Sequence, residues 1–502
     1  FLLGLPNSMG KDVQFINPAA VRMPGWGFYA RDQWQVSRKL TVNYGARFER
    51  YPFATRDHRG GERYDPNTDL VLIGGVGGAP TDTGVKVPAL QVAPRVGIAY
   101  RFDDKTVIRA GYGISIDPDS FRRMRDSYPA TVSSQFNAPS TFEAAGSFRT
   151  GIPPVVVPAL NTGSIAIPRT VGTITWPENF RRGYFQSWNF SLQRDLGWGF
   201  NLTSSYVATR AIRQTAIVNI NYSLPGAGTG VGRVLGQRWG RTADVQMYTP
   251  FNSSNYNGFQ NQLRRQFANG GMLGATYTWS KAISFADNND SGLTWNIPEL
   301  WDRNRAAAGF DRTHNFQLYG VYTLPFGAGQ RWLSQGLMKQ IMGNWQVNGI
   351  FSKVTGTPFT VGTAHASLNS ANNTQTADQV KPEVRILGGV GRGNSWFDPT
   401  AFVPVTAVRF GNSGRNILRG PGQTNLDASI FRDFPINERF KLQFRAEAFN
   451  LSNTPAFNNP GATASSATRN AAGEITNLGG FTEITSAQAT ERQFRFALKL
   501  FF

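Results

Sequence analysis

Phe494, Phe496, Leu498, Leu500 and Phe502 alternate with Gln493, Arg495, Ala497 and Lys499 at the end of this chain. Successive side chains of an extended strand point to opposite faces, so the segment has one apolar and one polar face with a strict period of two. A soluble sheet can contain one such strand. Here the pattern recurs along the chain, with long polar segments between repeats. That combination fits a closed antiparallel barrel with lipid outside and water inside.

The repeats group into hairpins. Residues 26–36 and 40–50 flank a tight turn at Ser37-Arg38-Lys39, with Leu40, Val42, Tyr44, Ala46 and Phe48 on one face and Thr41, Asn43, Gly45, Arg47 and Glu49 on the other. A second hairpin turns at Asp103-Asp104-Lys105 and a third around Gly197-Trp198-Gly199. The fourth, from about residue 256 to 284, turns at Ala268-Asn269-Gly270-Gly271. The fifth joins Phe316–Leu324 to Trp345–Phe351 through a longer connection that can hold a short amphipathic helix, and the sixth turns at Asn437-Glu438. Long Gly/Pro-rich loops separate the hairpins, and prolines such as Pro153-Pro154 cannot lie in a central strand. The expectation is an all-β transmembrane antiparallel barrel of the outer-membrane type. Its long loops are extracellular and its short turns periplasmic.

The expected domain is residues 1–502 as a single β-barrel domain of about 13 strands, the C-terminal portion of a larger barrel. Parity carries that expectation: bacterial barrels have even strand numbers, and the first strand here would begin on the side opposite the last strand's end. Residues 1–6 also lack the basic start and cleavage site of an export signal. The N-terminal strands and a plug are therefore expected outside this chain.

A Lys or Arg in the middle of a lipid face costs about 2–4 kcal/mol. The apolar faces of Phe440–Ala448, Ile108–Ile116 and Phe494–Phe502 carry no charge, while Arg432 and Arg492 fall near strand ends, where long side chains can snorkel. Residues 256–267 fit poorly, since Asn261 and Arg265 share a face with Phe259 and Leu263, which calls for a bulge or another register.

Bulk properties agree with a barrel. No stretch approaches the ~18–20 apolar residues of a membrane helix, and alternation dilutes barrel hydropathy, here a mean of −0.32. Aromatics make up 13% of residues, enough for girdles at two membrane interfaces. Cysteine is absent, which excludes disulfides, thiolate metal sites and cysteine nucleophiles. The net charge of +19 is scattered rather than gathered in a patch, which fits basic lumen walls and rims and argues against nucleic acid as a partner.

Four stretches resemble the TonB-dependent outer-membrane receptors, in particular the Oar-like branch. They are Phe28-Tyr29-Ala30-Arg31-Asp32-Gln33-Trp34 with Leu40–Arg47; Phe310-Asp311-Arg312-Thr313-His314-Asn315 leading to Leu324-Pro325-Phe326-Gly327; Phe444–Leu451 with Asn453 and Pro455-Ala456-Phe457; and the terminal strand. The terminal Phe also resembles the signal by which outer-membrane proteins are handed to the barrel assembly machinery. The resemblance implies a barrel of about 22 strands, an N-terminal plug, a TonB-contacting box and energised uptake of a sugar, peptide or metal chelate through the Gram-negative outer membrane. The implied partners are outer-membrane lipid, the assembly machinery, the TonB system and a small-molecule or peptide ligand. A passive porin-like or adhesin-like barrel would share the strand pattern without the plug.

Nothing in the sequence supports catalysis. His58, His314 and His365 lack metal-ligand spacing, Asp287-Asn288-Asn289-Asp290 lacks the spacing of a calcium loop, and Gly74-Gly75-Val76-Gly77-Gly78 is no phosphate loop. No cofactor is expected, and Asp311-Arg312 fits a lumen ion pair. The candidate positions are of three kinds. Phe494, Phe496, Leu498, Leu500 and Phe502 would face lipid and serve as the assembly signal. Arg445, Glu447, Arg495 and Lys499 would face the lumen. Trp176, Trp239, Trp295, Trp301 and Trp396 lie in predicted loops, where they could stack on a flat ligand or pack the loops themselves.

Overall fold

A computed structural model describes residues 3–15, 20–56, 60–118, 121–156, 158–267, 270–288, 291–327, 332–488 and 491–502. The turn residues Ala268 and Asn269, His58, and the pair Asn289-Asp290 lie outside the described residues.

The frame is one antiparallel meander in which each long strand pairs with the next in sequence. Its strands are β1 (Trp26–Gln35), β2 (Leu40–Arg50), β3 (Gln91–Arg101), β4 (Thr106–Ile116), β5 (Tyr184–Gly197), β6 (Phe200–Asn219), β7 (Val245–Gln266), β8 (Met272–Ser284), β9 (His314–Thr323), β10 (Trp345–Val354), β11 (Gln423–Pro435), β12 (Lys441–Phe449) and β13 (Gln493–Phe501). Two short helices, α1 (Val234–Trp239) and α2 (Gly336–Met342), lie in its connections. No ladder register joins β13 to β1 among the described residues, so the sheet is open at both edges. All of β1 is exposed, as are all but one residue of β13.

Every second connection is short except the one between β9 and β10, which carries α2, and side chains close several of these turns. The Ser37 hydroxyl accepts the Lys39 and Leu40 N–H groups, and Asp103 accepts Lys105. Asp195 accepts Gly197, and Asn437 accepts Arg439 and Phe440. Such side chains offer the backbone a turn in place of the ladder. The Asp103 carboxyl is held below the usual aspartate range, chiefly by the Lys105 N–H.

At the other end lies a folded layer of loops. Strands β6 and β7 run to 20 and 22 residues, about twice the ~9–11 needed to cross a membrane. Their excess length passes a bulge at Ala211–Ala216, and residues 215–219 become buried. Clusters form on this extension. Phe53, Phe121, Trp176 and Phe180 pack with Ile217 and Tyr248, while Leu293 and Ala286 pack with Ala216 and Val218. A second cluster joins Tyr64, Val71, Tyr128, Ile165 and Val245. A separate one gathers Phe359, Phe397, Phe402 and Phe481 from two distant loops. Short strands stitch the layer, among them Ser8–Gln14 with Thr131–Asn137, and Glu62–Asp65 with Leu70–Ile73 and Ser164–Ala166.

The ladder fixes the two faces of the meander. Leu442, Phe444, Ala446 and Ala448 stand opposite Leu500, Leu498, Phe496 and Phe494 on one face, and Gln443, Arg445 and Glu447 stand opposite Lys499, Ala497 and Arg495 on the other. The poorly fitting strand needs no bulge: β6 and β7 stay in register from Phe200↔Arg265 to Ala211↔Ser254. Asn261 instead accepts a hydrogen bond from the Ser204 hydroxyl on the same face (2.8 Å), and the Arg265 guanidinium lies 4.8 and 4.7 Å from the Phe200 and Phe267 rings. Pairing lowers the desolvation cost of the amide, and the aromatic faces attract the cation.

Candidate functional site

The polar face carries a basic trough near the β1 edge. Gly45 of β2 stands opposite Arg31 and Arg95, and Gly97 of β3 stands opposite Gly111. These glycines, with Gly113, leave the backbone bare between side chains. A cavity of about 790 Å³ opens there, lined by Tyr29, Arg31, Asn43, Arg47, Arg95 and Asn189. A Cβ on Gly45 would fall 2.5 Å from the Ala30 carbonyl oxygen and 2.8 Å from the Arg31 Cβ, so the close approach of β1 requires glycine. Arg47 is tied to the buried Glu49 at 2.8 Å, and the Tyr51 hydroxyl donates to the same carboxylate. Arg95 donates to the Ser115 hydroxyl. Farther round, Gln193, Asn201, Thr203, Gln262, Arg264 and Gln266 line a second polar cavity of about 420 Å³.

The four predicted lumen residues share this face. Arg445 donates to Gln443 (2.6 Å), Gln443 donates to Asp433, and Asp433 pairs with Lys441 at 3.0 Å. Arg445 also lies 4.6 Å from the Phe431 ring and Arg495 lies 5.4 Å from the Phe449 ring. Glu447 faces Arg495 across the β12–β13 ladder, with Lys499 two positions beyond Arg495 on the same face. Phe494, Phe496, Leu498, Leu500 and Phe502 all lie exposed on the opposite face or at its end, between 51% and 84% accessible.

The five loop tryptophans have different surroundings. Trp176 and Trp295 are fully buried, Trp176 edge-on to Phe53 and Trp295 beneath the Arg303 guanidinium at 4.2 Å. In this conformation protein atoms occupy both rings. Trp301 packs on Phe251 and donates to the Asn296 carbonyl, and Trp396 donates to the Arg419 carbonyl beside the Phe397 cluster. Trp239 is half-buried at the end of α1, donates to the Pro66 carbonyl, and lines a cavity of about 550 Å³ with Thr68, Asp69, Tyr128 and Arg169. Asp69 anchors that wall: it accepts from the Tyr64 hydroxyl (2.9 Å) and pairs with the buried Arg241 at 2.8 Å. Burial raises the Tyr64 phenol far above its ordinary value and pushes Tyr128 up to about 12. Both stay neutral hydrogen-bonding groups at physiological pH.

The expected Asp311-Arg312 pair does not form. Asp311 is buried and its carboxylate pairs with Arg419, while Arg312 turns away to donate to the Thr355 carbonyl (2.5 Å). Both residues precede β9, and each is drawn to a different partner, Arg419 of a separate loop for Asp311 and Thr355 just past β10 for Arg312. Asp287 likewise is committed, to Arg415, Ser284 and the Gly309 N–H. His314 stacks on Tyr277 and shares a 2.8 Å hydrogen bond with its hydroxyl, and His365 contacts the Ser370 carbonyl at 2.6 Å. Among the described residues no three His, Cys, Asp or Glu side chains gather as a metal site. Sequence reading missed the glycine-floored trough, whose signal was present in Gly45 of β2, Gly97 of β3 and the alternating Gly111 and Gly113 of β4.

A wide antiparallel meander with one apolar face, one polar face, tight turns at one end and a folded loop layer at the other defines the class of outer-membrane β-barrel proteins. The chain belongs to the outer membrane beta barrel domain family, which it matches over residues 1–495. It is an outer-membrane protein of a family of barrels, not of enzymes. No curated protein matches it. Among solved structures it is similar to the ferric citrate transporter FecA in its unliganded form, with 12% identity and a TM-score of 0.42 over 96% of this chain and 45% of that one. It is also similar to the pyoverdine receptor FpvA of Pseudomonas aeruginosa (10%, TM-score 0.45, 96% and 42%) and to the siderophore receptor PiuA of Acinetobacter baumannii (12%, 0.43, 96% and 43%). The chain spans less than half the length of each of these structures.

Proposed function

We propose that this chain forms wall and loop cap of a TonB-dependent outer-membrane receptor of the Oar-like kind, which takes up a sugar, peptide or metal chelate by energised transport. In this reading the face bearing Phe494, Phe496, Leu498 and Leu500 meets lipid, and the face bearing Arg445, Glu447, Arg495 and Lys499 lines the lumen. The turn end is periplasmic and the loop end extracellular. The terminal strand is what the barrel assembly machinery recognises. The wall is one portion of a barrel, because unpaired sheet edges are not tolerated in hydrocarbon and β1 and β13 must find partner strands.

The observation that carries the reading is the loop layer. Its buried aromatic cores and its cavity beside Trp239 make a structured cap above a polar wall, which suits capture of a ligand before transport.

The full-length protein in a planar bilayer tests it, together with capture by the periplasmic domain of TonB. A membrane that stays electrically silent, with specific TonB capture, is the expected result. A steady open pore that ignores TonB would replace the receptor with a passive porin.

A further inference from the structure

The turn end of the meander carries a group of residues that the wall does not need. On the apolar face, Arg265 lies between Phe200 and Phe267, and Phe267 contacts Tyr322 edge-on at 5.3 Å. Farther along the same end, Arg432 lies 5.4 Å from the Trp345 ring and 4.4 Å from the Phe434 ring. Neither arginine has a carboxylate partner among the described residues. Two cations on a lipid-directed face, each flanked by aromatic rings and unpaired, call for an anion from outside the protein.

Helix α2 projects from this belt. Gly327 and Gly343 meet so closely that a Cβ on Gly327 would fall 2.5 Å from the Gly343 Cα, which closes the base of the excursion. The Trp345 indole donates to the Ile341 carbonyl (3.0 Å) and ties the helix to the apolar face of β10. At about 100° per residue, Leu337, Ile341, Met338 and Met342 share one side of the helix, with Lys339 and Gln340 on the other. Among the described residues the apolar side stays open to its surroundings: Leu337 is 70% exposed, and Met338 and Ile341 are each 48% exposed. Trp332 and Leu333, just before the helix, are exposed as well.

We infer that the turn end is a binding surface for anionic phospholipid. Helix α2 lies flat in the interface of that leaflet with Leu337 and Ile341 at the acyl boundary, and Arg265 and Arg432 take headgroup phosphates. The inference rests on the reading proposed above: the apolar stripe is continuous, through Trp345, with the face assigned there to lipid, and the unpaired arginines supply the complementary charge. Lys339, on the water side of the helix, reaches back to the same headgroup layer.

These 502 residues contain no cysteine, so an introduced one is unique among them, and any cysteine elsewhere in the full-length protein would first be replaced by serine. Leu337→Cys and Gln340→Cys in the full-length protein would each carry an environment-sensitive fluorophore, in vesicles of phosphatidylethanolamine and phosphatidylglycerol. The label at 337 is expected to be quenched by nitroxides on shallow acyl positions, and the label at 340 by an aqueous quencher. Aqueous quenching of both would overturn the placement. Shielding of 337 from lipid and water alike would also overturn it, showing a protein segment or a second copy on the helix. For the headgroup site, Arg265→Gln with Arg432→Gln is expected to lower phosphatidylglycerol retained through a detergent wash by about tenfold. Arg265→Lys with Arg432→Lys is expected to keep most of it. Equal retention by the Gln pair and the parent would remove the arginines from the proposal.

Discussion

Asp311 is where a single substitution is expected to disturb the loop layer most. Its carboxylate is 2% exposed and is matched by Arg419, which also donates to the Asp311 and Gly356 carbonyls. Removing one member of such a pair strands a charge in a dry site, at a cost of about 3–5 kcal/mol. Arg419 is a third exposed, so the lower end applies. Arg419→Ala should therefore admit protease to residues 355–422 at lower urea, and adding Asp311→Asn should restore much of the resistance. A single variant as resistant as the parent would show that water reaches the carboxylate. Asp378 gives a pH-dependent counterpart. Its carboxyl is held below the ordinary aspartate value by hydrogen bonds from Arg409, with burial opposing. A lowered folded value means the contribution is complete above about pH 4 and is lost as pH falls through the lowered value. Arg409→Ala should open the loop slightly more than the parent at pH 6, and the two should converge under pepsin in stronger acid. A gap that persists there would locate the effect outside the ion pair.

The strand faces make a sharper forecast. Phe444 lies opposite Leu498 and Arg432 on the apolar face, and Arg445, one residue on, lies opposite Ala497 on the polar face. Phe444→Arg should cost about 2–4 kcal/mol and cut the yield of assembled protein in membranes, whereas Arg445→Gln should leave the yield close to the parent's. Equal yields would mean that the faces do not separate lipid from water. Gly45→Val tests the trough in the same assay, because the added atoms would collide with Ala30 and Arg31 and unseat β1. A normal yield would show that β1 moves aside freely. These elements were legible because period-two alternation depends on local residues alone, and the six hairpins and the last strand could be read from it, while the α2 excursion was suggested by the longer connection of the fifth hairpin. The Ser8–Gln14 strand was not legible, because its partner lies some 120 residues away and its own alternation is weak. The partner of Asp311 escaped for the same reason, being supplied by a separate loop. Arg265 read as a misfit because its compensation, two aromatic rings, comes from a neighbouring strand and from the turn beyond its own.

At the scale of the molecule the open edges decide what the wall requires. β1 presents Trp26, Phe28 and Trp34 on one face and Tyr29 and Arg31 on the other, and no ladder covers its outer backbone among the described residues. Each unsatisfied backbone group in hydrocarbon costs several kcal/mol, so a row of them would outweigh the lipid contacts that β1 and β13 gain. Closure by further strands of the same protein removes the row, as does edge pairing between copies. The two routes separate on a gel. Residues 1–502 produced alone and refolded in detergent should associate and show no mobility shift on boiling, whereas the full-length protein should run as a compact monomer that shifts when boiled. A compact, heat-modifiable monomer from residues 1–502 alone would mean that β1 and β13 zip together directly. The lumen would then be narrower than a receptor of the proposed kind needs, and the trough around Gly45, Gly97 and Gly113 would line a small pore.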